Sequence, residues 1–566
     1  MTHKLIAITL LAATATQMCA RERNDGEMIK AAAAILAQDT PSGLARTYAT
    51  QPLRVLAKAS ELTVVGRDTG GFAIIANDDI FKAVFAYSDA AYNDGGTNPA
   101  FDWYVSELNA ALTQAKAEGH NLEKVRPARE YANKVDELLT SRWGQDTPYN
   151  LLTPKYTDKT TGNKVNYVTG CVATAMAQIL YFHKYPVKGE GDIIYDFAPG
   201  GGEPSQTLEA DFSDTYYDWA NMLDTYTAGA YNDAQAKAVA TLMLHCGYSV
   251  RMQYTKSGSG AYSREACRAL RENFGCKEWT RYLSRDIYNV SEWMQIIFKE
   301  LNDRCPVLYG GQSSSGGHCF VLDGYDKDGL VHVNWGWNGS QNGFFDIASL
   351  NGYNSGQKLV YVRPASDPRY DDRYKSIFGM LENFNCDFDD NILYVNGNEI
   401  GNLDIDEFNG CIQLRATNTA TGEDVKLKDL ERLTSLTYGY SGAVRRNSAD
   451  MGDLADGTYR VYLASLSDDE EEPQPVRTSE KYSNSYIVNI KGGTITSCEP
   501  ESDSSWTAIK SVKTNGSADS DVTRVFDTTG RLLLSAPTAT FSLDDMPTSG
   551  VLIVKNGSKA AKVVKR

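Results

Sequence analysis

The chain has 566 residues, 42% of them hydrophobic and 23% charged, which is too long for one hydrophobic core and suits about three or four domains. Its net charge of −16 offers no basic surface to a nucleic-acid backbone or an anionic membrane, so functions that depend on either are set aside.

Lys4 is followed by an apolar run, Leu5 to Ala13, and then by small and polar residues to Ala20. That order is the pattern of a secretory signal peptide over residues 1–20, and the run is too short to span a bilayer. Thr16-Gln17-Met18 is a poor lead-in to a lipidated Cys19. No later stretch is long enough for a membrane helix, so the reading is an exported protein, soluble or surface-attached. Ten cysteines occur without a CxxC pair, which argues against a zinc ribbon or a dense disulfide scaffold. Loss of Cys19 leaves an odd number, hence at least one unpaired thiol, for which catalysis is one reason.

Residues 21–130 read as a small α+β unit. It has a helix at Ile29–Leu36, strands at Glu61–Val65, Gly71–Asn77 and Ala83–Tyr87, and an amphipathic helix at Trp103–Glu118. Lys124, Arg126, Arg129 and Lys134 then dot a polar stretch suited to an exposed, cleavable linker. Residues 131–365 alternate helices and short strands. Residues 366–500 carry short alternating runs at Ile392–Val395, Ile412–Ala416, Tyr459–Leu463 and Ser485–Ile490, the mark of β-sandwich modules. Residues 501–566 hold further short strands: Thr523–Phe526, Arg531–Leu534, Thr540–Leu543 and Val551–Lys555. The fold class is α+β.

In Gly170-Cys171-Val172-Ala173-Thr174-Ala175-Met176, apolar residues recur at helical spacing after a glycine break, which puts Cys171 at a helix N-terminus. Unpaired N–H groups there favour a thiolate and are expected to lower the thiol pKa. Six histidines are available as a base. His3 falls in the signal, His120 before the linker, His183 on the Cys171 helix and His245 in an apolar helical run. Of the remaining two, His318 follows a glycine pair and opens a buried strand, whereas His332 lacks that approach. Asn334, on a strand expected to pair with the His318 strand across the turn Asp326–Gly329, has an amide able to fix an imidazole tautomer. Trp335 is placed to shield that bond, and Gln145 to offer an amide to an oxyanion beside the Cys171 N–H.

These motifs make residues 135–362 resemble the streptopain family of papain-like cysteine peptidases: Trp143-Gly144-Gln145 with Pro148-Tyr149-Asn150, Thr169-Gly170-Cys171-Val172-Ala173-Thr174-Ala175, Arg268 to Gly275, Gly317-His318, and Val333-Asn334-Trp335-Gly336-Trp337-Asn338-Gly339. The resemblance implies a papain-like catalytic domain in which Cys171 attacks, His318 carries the proton, Gln145 helps form the oxyanion hole, and Asn334 with Trp335 orients and covers the histidine. It also implies that Ser259, Gly260 and Gly317 hold substrate backbone, that residues 21–130, with Gly71 to Asp79, are an inhibitory propeptide, and that no metal or cofactor is needed. Val525 to Arg531 and Gly550 to Gly557 resemble the sorting domains of type IX secretion, which implies a secretion machinery as partner. The substrates would be proteins or peptides. Two alternatives stay open: a surface adhesin acting through its β modules, and a cysteine acyltransferase using the same groups.

Overall fold

The structure, a computed structural model, describes residues 21–37, 51–93, 96–119, 122, 124–199, 203–256, 258–313, 316–350, 356–369, 376–396, 398–478 and 482–501, and strands at 522–527, 532–537, 550–556 and 559–565. The signal-like segment, Ser257 and the expected strand at Thr540–Leu543 lie outside these residues. The chain divides into two compact units, one of residues up to 95 with 108–122, the other of residues 96–107 with 123–566.

In the first unit, helix α1 (Asp25–Leu36) starts on a capping box, in which the Asn24 side chain accepts from the Glu27 N–H and Glu27 reaches back. Met28, Ala32, Ile35 and Leu36 form its buried face. Strands β1 (Arg54–Lys58), β2 (Leu62–Gly66), β3 (Phe72–Ala76) and β4 (Val84–Ser88) pair antiparallel in sequence order. The last three meet the sequence expectation to within a residue. β1 was not expected: its ends are exposed and a bulge between Val55 and Ala57 breaks its alternation. Helix α2 (Pro99–Glu118) starts four residues earlier than its amphipathic pattern indicates. Its residues up to Glu107 belong to the second unit and those from Leu108 to the first.

In the second unit, helices α3 (Cys171–His183), α4 (Asp233–Ser249), α5 (Ser263–Glu272) and α6 (Val290–Asn302) accompany two hairpins, β5 (Lys155–Thr157) with β6 (Lys164–Asn166) and β7 (Asp192–Phe197) with β8 (Gln206–Asp211). An antiparallel array of β9 (Arg281–Ser284), β10 (Val307–Ser313), β11 (Gly316–Tyr325), β12 (Val331–Asn334), β13 (Gly343–Phe345) and β14 (Lys358–Tyr361) runs in the order β13-β12-β11-β10-β14-β9. The expected hairpin between β11 and β12 is present, with Gly329 at φ 87° in its turn. α3 packs against both β11 and α4, its face from Val172 to Tyr181 buried throughout.

Beyond residue 376 the described chain is all strand. Two small three-stranded sheets (378–380, 398–402 and 441–444; 386–389, 392–395 and 447–450) and a larger sheet built on 408–418, 424–436, 457–467, 485–491 and 494–500 enclose one core. Phe378, Leu393, Ile400, Ile412, Leu414, Val461, Leu463 and Val488 lie at its centre, so this region is one sandwich rather than several modules. Arg281 of β9 meets Asp404 and Asp406 of this sandwich at 3.3 and 2.7 Å, a link to the preceding array in which Arg281 and Asp404 are buried and Asp406 is half-exposed. Near the C-terminus, strands 522–527, 532–537, 550–556 and 559–565 form a separate four-stranded sheet.

Candidate active site

Gly170 ends the loop before α3 at φ 89°, and a Cβ there would sit 2.8 Å from Met252 and 2.9 Å from the Ser259 carbonyl oxygen. Only glycine fits both the backbone angle and the space, and the next residue, Cys171, is therefore the first of the helix. Thr174 secures this turn by donating to the Gly170 carbonyl at 3.0 Å, and its hydroxyl meets that of Thr169 at 3.0 Å. The Thr169 N–H donates to the Gln145 carbonyl at 3.2 Å, so buried Gln145 lies alongside the start of α3.

Cys171 keeps a partly exposed side chain. The expected lowering of its pKa is not met here. Burial pushes the thiol up, against the backbone N–H groups of Cys319, Val172 and Cys171 that favour the thiolate. The helix N-terminus acts in the expected direction, but desolvation outweighs it.

β11 packs against α3, with the Cys319 N–H near the Cys171 sulfur. His318 is the residue before Cys319. Its ring lies 6.0 Å from that of Trp103 in α2, and the same indole is 6.4 Å from Phe320. His318 and Phe320 share a face by the two-residue strand period, and Cys319 takes the other. Gly311, the β10 partner of His318, makes the room, because a Cβ there would fall 2.4 Å from the Trp103 ring. Burial lowers the His318 pKa, so imidazole and thiol are both held toward their neutral forms.

Asn334 is buried but is not bonded to His318. Its Oδ1 accepts from Gln178 Nε2 at 3.3 Å and from the Gly336 N–H at 3.2 Å, and its Nδ2 donates to the Ser141 carbonyl at 2.8 Å. Both lone pairs of the amide oxygen are thus taken, which corrects, for this arrangement, the expected bond to imidazole. Trp335 is fully buried and donates to the Gln341 carbonyl at 3.0 Å. It meets Phe320 at 4.8 Å, Phe345 at 4.9 Å and Tyr104 at 5.9 Å, so it reaches the His318 face through Phe320.

Ser259 is buried and its hydroxyl donates to the Val168 carbonyl at 2.7 Å, which commits that side chain to the loop. Gly260 bridges Gln253 through both backbone groups, is exposed, and has open space at its Cβ position. Gly317 is exposed as well.

His332 is buried with Nδ1 at 2.5 Å from Asp323 and Nε2 at 3.3 Å from Glu137, a structural clasp on the strand face. His245 bonds the Tyr217 hydroxyl at 3.0 Å.

Two residues of the site were not singled out from sequence. Gln178, fully buried on α3, accepts from Ser141 Oγ at 3.0 Å and from the Trp143 N–H at 3.3 Å while donating to Asn334. A lone amide in an apolar helix was its available signal. Trp103 had none beyond its size.

The linker is exposed in its side chains but tethered in its backbone. Lys124 and Arg126 meet Asp328 at 3.1 and 3.3 Å, the Ala128 N–H donates to Gln295, and the Ala132 N–H donates to Asn302. Among the described residues no group of His, Cys, Asp and Glu is arranged to hold a metal ion, and no helix is long and apolar enough to cross a membrane.

Residues 143–345 match the Peptidase C10 family. Streptopain of Streptococcus pyogenes is 36% identical over 307 residues, spanning 52% of this chain and 75% of that protein. The thiol protease/hemagglutinin PrtT of Porphyromonas gingivalis is 34% identical over 323 residues, 52% of this chain but 36% of its own length. The solved structure of a Prevotella intermedia prointerpain A fragment is 40% identical, covers 55% of this chain and 98% of the fragment, and superposes with a TM-score of 0.51.

Proposed function

The chain belongs to the Peptidase C10 family and is a cysteine peptidase of papain-like α+β fold, and from that premise we propose that it is an exported endopeptidase made as a latent zymogen. Cys171 is the nucleophile and His318 the base. The observation that supports latency is the placement of Trp103, in the segment read as propeptide, against His318, with the two rings 6.0 Å apart.

In this reading residues 21–130 are the propeptide, 131–365 the catalytic domain, 366–500 an accessory sandwich and 501–566 a sorting domain. Cleavage falls near Arg129 to Lys134, where Arg129, Glu130, Ala132, Asn133 and Lys134 are all exposed. Loss of Trp103 frees the His318 ring to turn toward α3. There it takes the thiol proton, and a thiolate–imidazolium pair replaces two neutral groups. The Asn334 bond to Gln178 is long at 3.3 Å, so an imidazole N–H competes for that oxygen readily. The thiolate attacks the scissile carbonyl, and the Cys171 N–H and Gln145 amide take the developing oxyanion charge. His318 protonates the leaving amine, and water then hydrolyses the acyl-enzyme. Gly260 and Gly317 are exposed main-chain sites suited to an extended substrate. The Ser259 side chain is engaged with its own loop and contributes through its backbone. Protein substrates, the chain's own propeptide as inhibitor, and a secretion machinery are the partners.

The test is expression of residues 21–566 with and without Cys171→Ala, followed by casein cleavage and fragment sizes under reducing conditions. Cleavage and self-processing are expected only with Cys171 present. Equal behaviour of both proteins would remove the nucleophile assignment.

A further inference from the structure

Two thiols in the accessory sandwich lie far from the peptidase chemistry. Cys386 opens the strand 386–389 of a small sheet and pairs with Val395. Cys498 lies on the edge strand 494–500 of the large sheet and pairs with Val488. The two strands pack together. Both cysteines lie partly buried against the same hydrophobic core, and their side chains are close enough to interact. Tyr486 lies beside both, its ring 5.5 Å from that of Phe384. The contact thus joins one sheet to the other between positions about 110 residues apart in the chain.

We propose that Cys386 and Cys498 form an inter-sheet disulfide that staples the accessory sandwich. The oxidant is a small-molecule or protein disulfide. One cysteine thiolate attacks a sulfur of the oxidant, which releases the first oxidant thiolate and leaves a mixed disulfide. The second cysteine thiolate then attacks the protein sulfur of that mixed disulfide, forms the Sγ–Sγ bond and expels the second oxidant thiolate. Two electrons pass to the oxidant, and the two thiol protons go to its products. The chemistry is independent of the function proposed above. Only the oxidising compartment in which it would occur rests on the export reading.

The two sheets share one core, so the staple closes a loop around most of that core. Cross-linking a loop of this length restricts the unfolded chain strongly, and a melting shift on the order of 10 °C is expected for the sandwich. The experiment uses residues 21–566 carrying Cys171→Ala, which prevents self-cleavage. The protein is equilibrated in buffers of oxidised and reduced glutathione, quenched in acid, alkylated under denaturing conditions and mapped by mass spectrometry. A peptide joining Cys386 to Cys498 is expected in the oxidised sample, together with a melting transition that falls on full reduction. Cys386→Ser and Cys498→Ser, each made singly, are expected to lack both the linked peptide and the redox-dependent shift. Alkylation of both cysteines at the oxidising limit, or linkage of either to another partner, would overturn the proposal. The wild-type map at these two positions needs no variant to fold.

Discussion

Truncation of Trp103 to alanine tests the proposed latency directly. The indole is 4% exposed and lies against His318, Phe320 and Gly311. Removing a buried tryptophan side chain costs about 3–5 kcal/mol, from lost transfer energy and the cavity left behind. Part of that stabilises α2 whichever way His318 points, and the rest favours the His318 position beneath the indole. If about half acts on the histidine, the ratio of competent to latent forms rises by roughly tenfold to a hundredfold, at 1.4 kcal/mol per factor of ten. The uncleaved chain should reveal this before any processing. Brief exposure to iodoacetamide at pH 7, quenched within the first minute, reads the Cys171 thiolate by mass spectrometry. Trp103→Ala is expected to label at least about tenfold faster than wild type, and Trp103→Phe to fall between them. Equal rates in a variant whose circular dichroism and size match wild type would refute the idea that this indole holds the histidine away. Gly311→Ala approaches the same contact from the opposite side, because its methyl would meet the ring at 2.4 Å.

Three further outcomes follow from the geometry. Cys171 is raised by burial in the uncleaved form, so its alkylation rate should climb only above the ordinary thiol range, near pH 8.5, while the processed enzyme should react well below pH 7; identical pH profiles for the two forms would contradict this. Gln178→Leu orphans the buried Trp143 N–H and frees Asn334, at about 1–3 kcal/mol for the unsatisfied donor. A fall in kcat of tenfold or more with KM little changed is expected, Gln178→Glu restoring part of it, whereas a parallel loss of folded protein alone would mark Gln178 as merely structural. Burial holds His245 at a pKa of about 4, below its ordinary 6.5, so the unfolded chain takes up the proton first as the pH falls. Stability should therefore decline between pH 6.5 and about 4, by roughly 3 kcal/mol from this residue, and His245→Gln should flatten that part of a urea-midpoint profile.

Residues whose chemistry is local were legible in the sequence. Gly170 before an apolar 3.6-residue repeat gave the helix and its first residue, and the Asp326–Gly329 turn gave the hairpin that carries His318 and Asn334. What the sequence hid depends on distant partners. The face taken by His318 is decided by Trp103 and Gly311, more than two hundred residues apart. Apart from the nearby Gly336 N–H, the partners of Asn334 come from α3 and from Ser141, which no spacing rule connects. Charged edge elements were hidden for another reason: the strand from Asp424 to Leu436 is half exposed along its length, so its sequence lacks the apolar alternation by which strands are read. The Cys171 pKa was misjudged because a helix N-terminus is visible in sequence while the burial that opposes it is not.

The register of β11 explains how so small a contact can govern the site. Successive strand residues point to opposite faces, so His318 and Cys319 cannot both turn their side chains toward α3 while the strand keeps its pairing with β10. By that alternation His318 and Cys319 take opposite faces, and Trp103 lies on the His318 face. In the proposed activation His318 moves together with the first residues of β11, Gly316 and Gly317, which pair with Ser313 and Gln312 at the turn end of the β10–β11 hairpin. Glycine at φ 142° costs little to reorient. The cheap hinge lies next to the histidine, and the apolar weight holding it closed lies in the segment proposed to be removed. In the proposed zymogen, latency and activation then differ in the placement of a single side chain, and the fold of α3 and the paired strands behind it need not change.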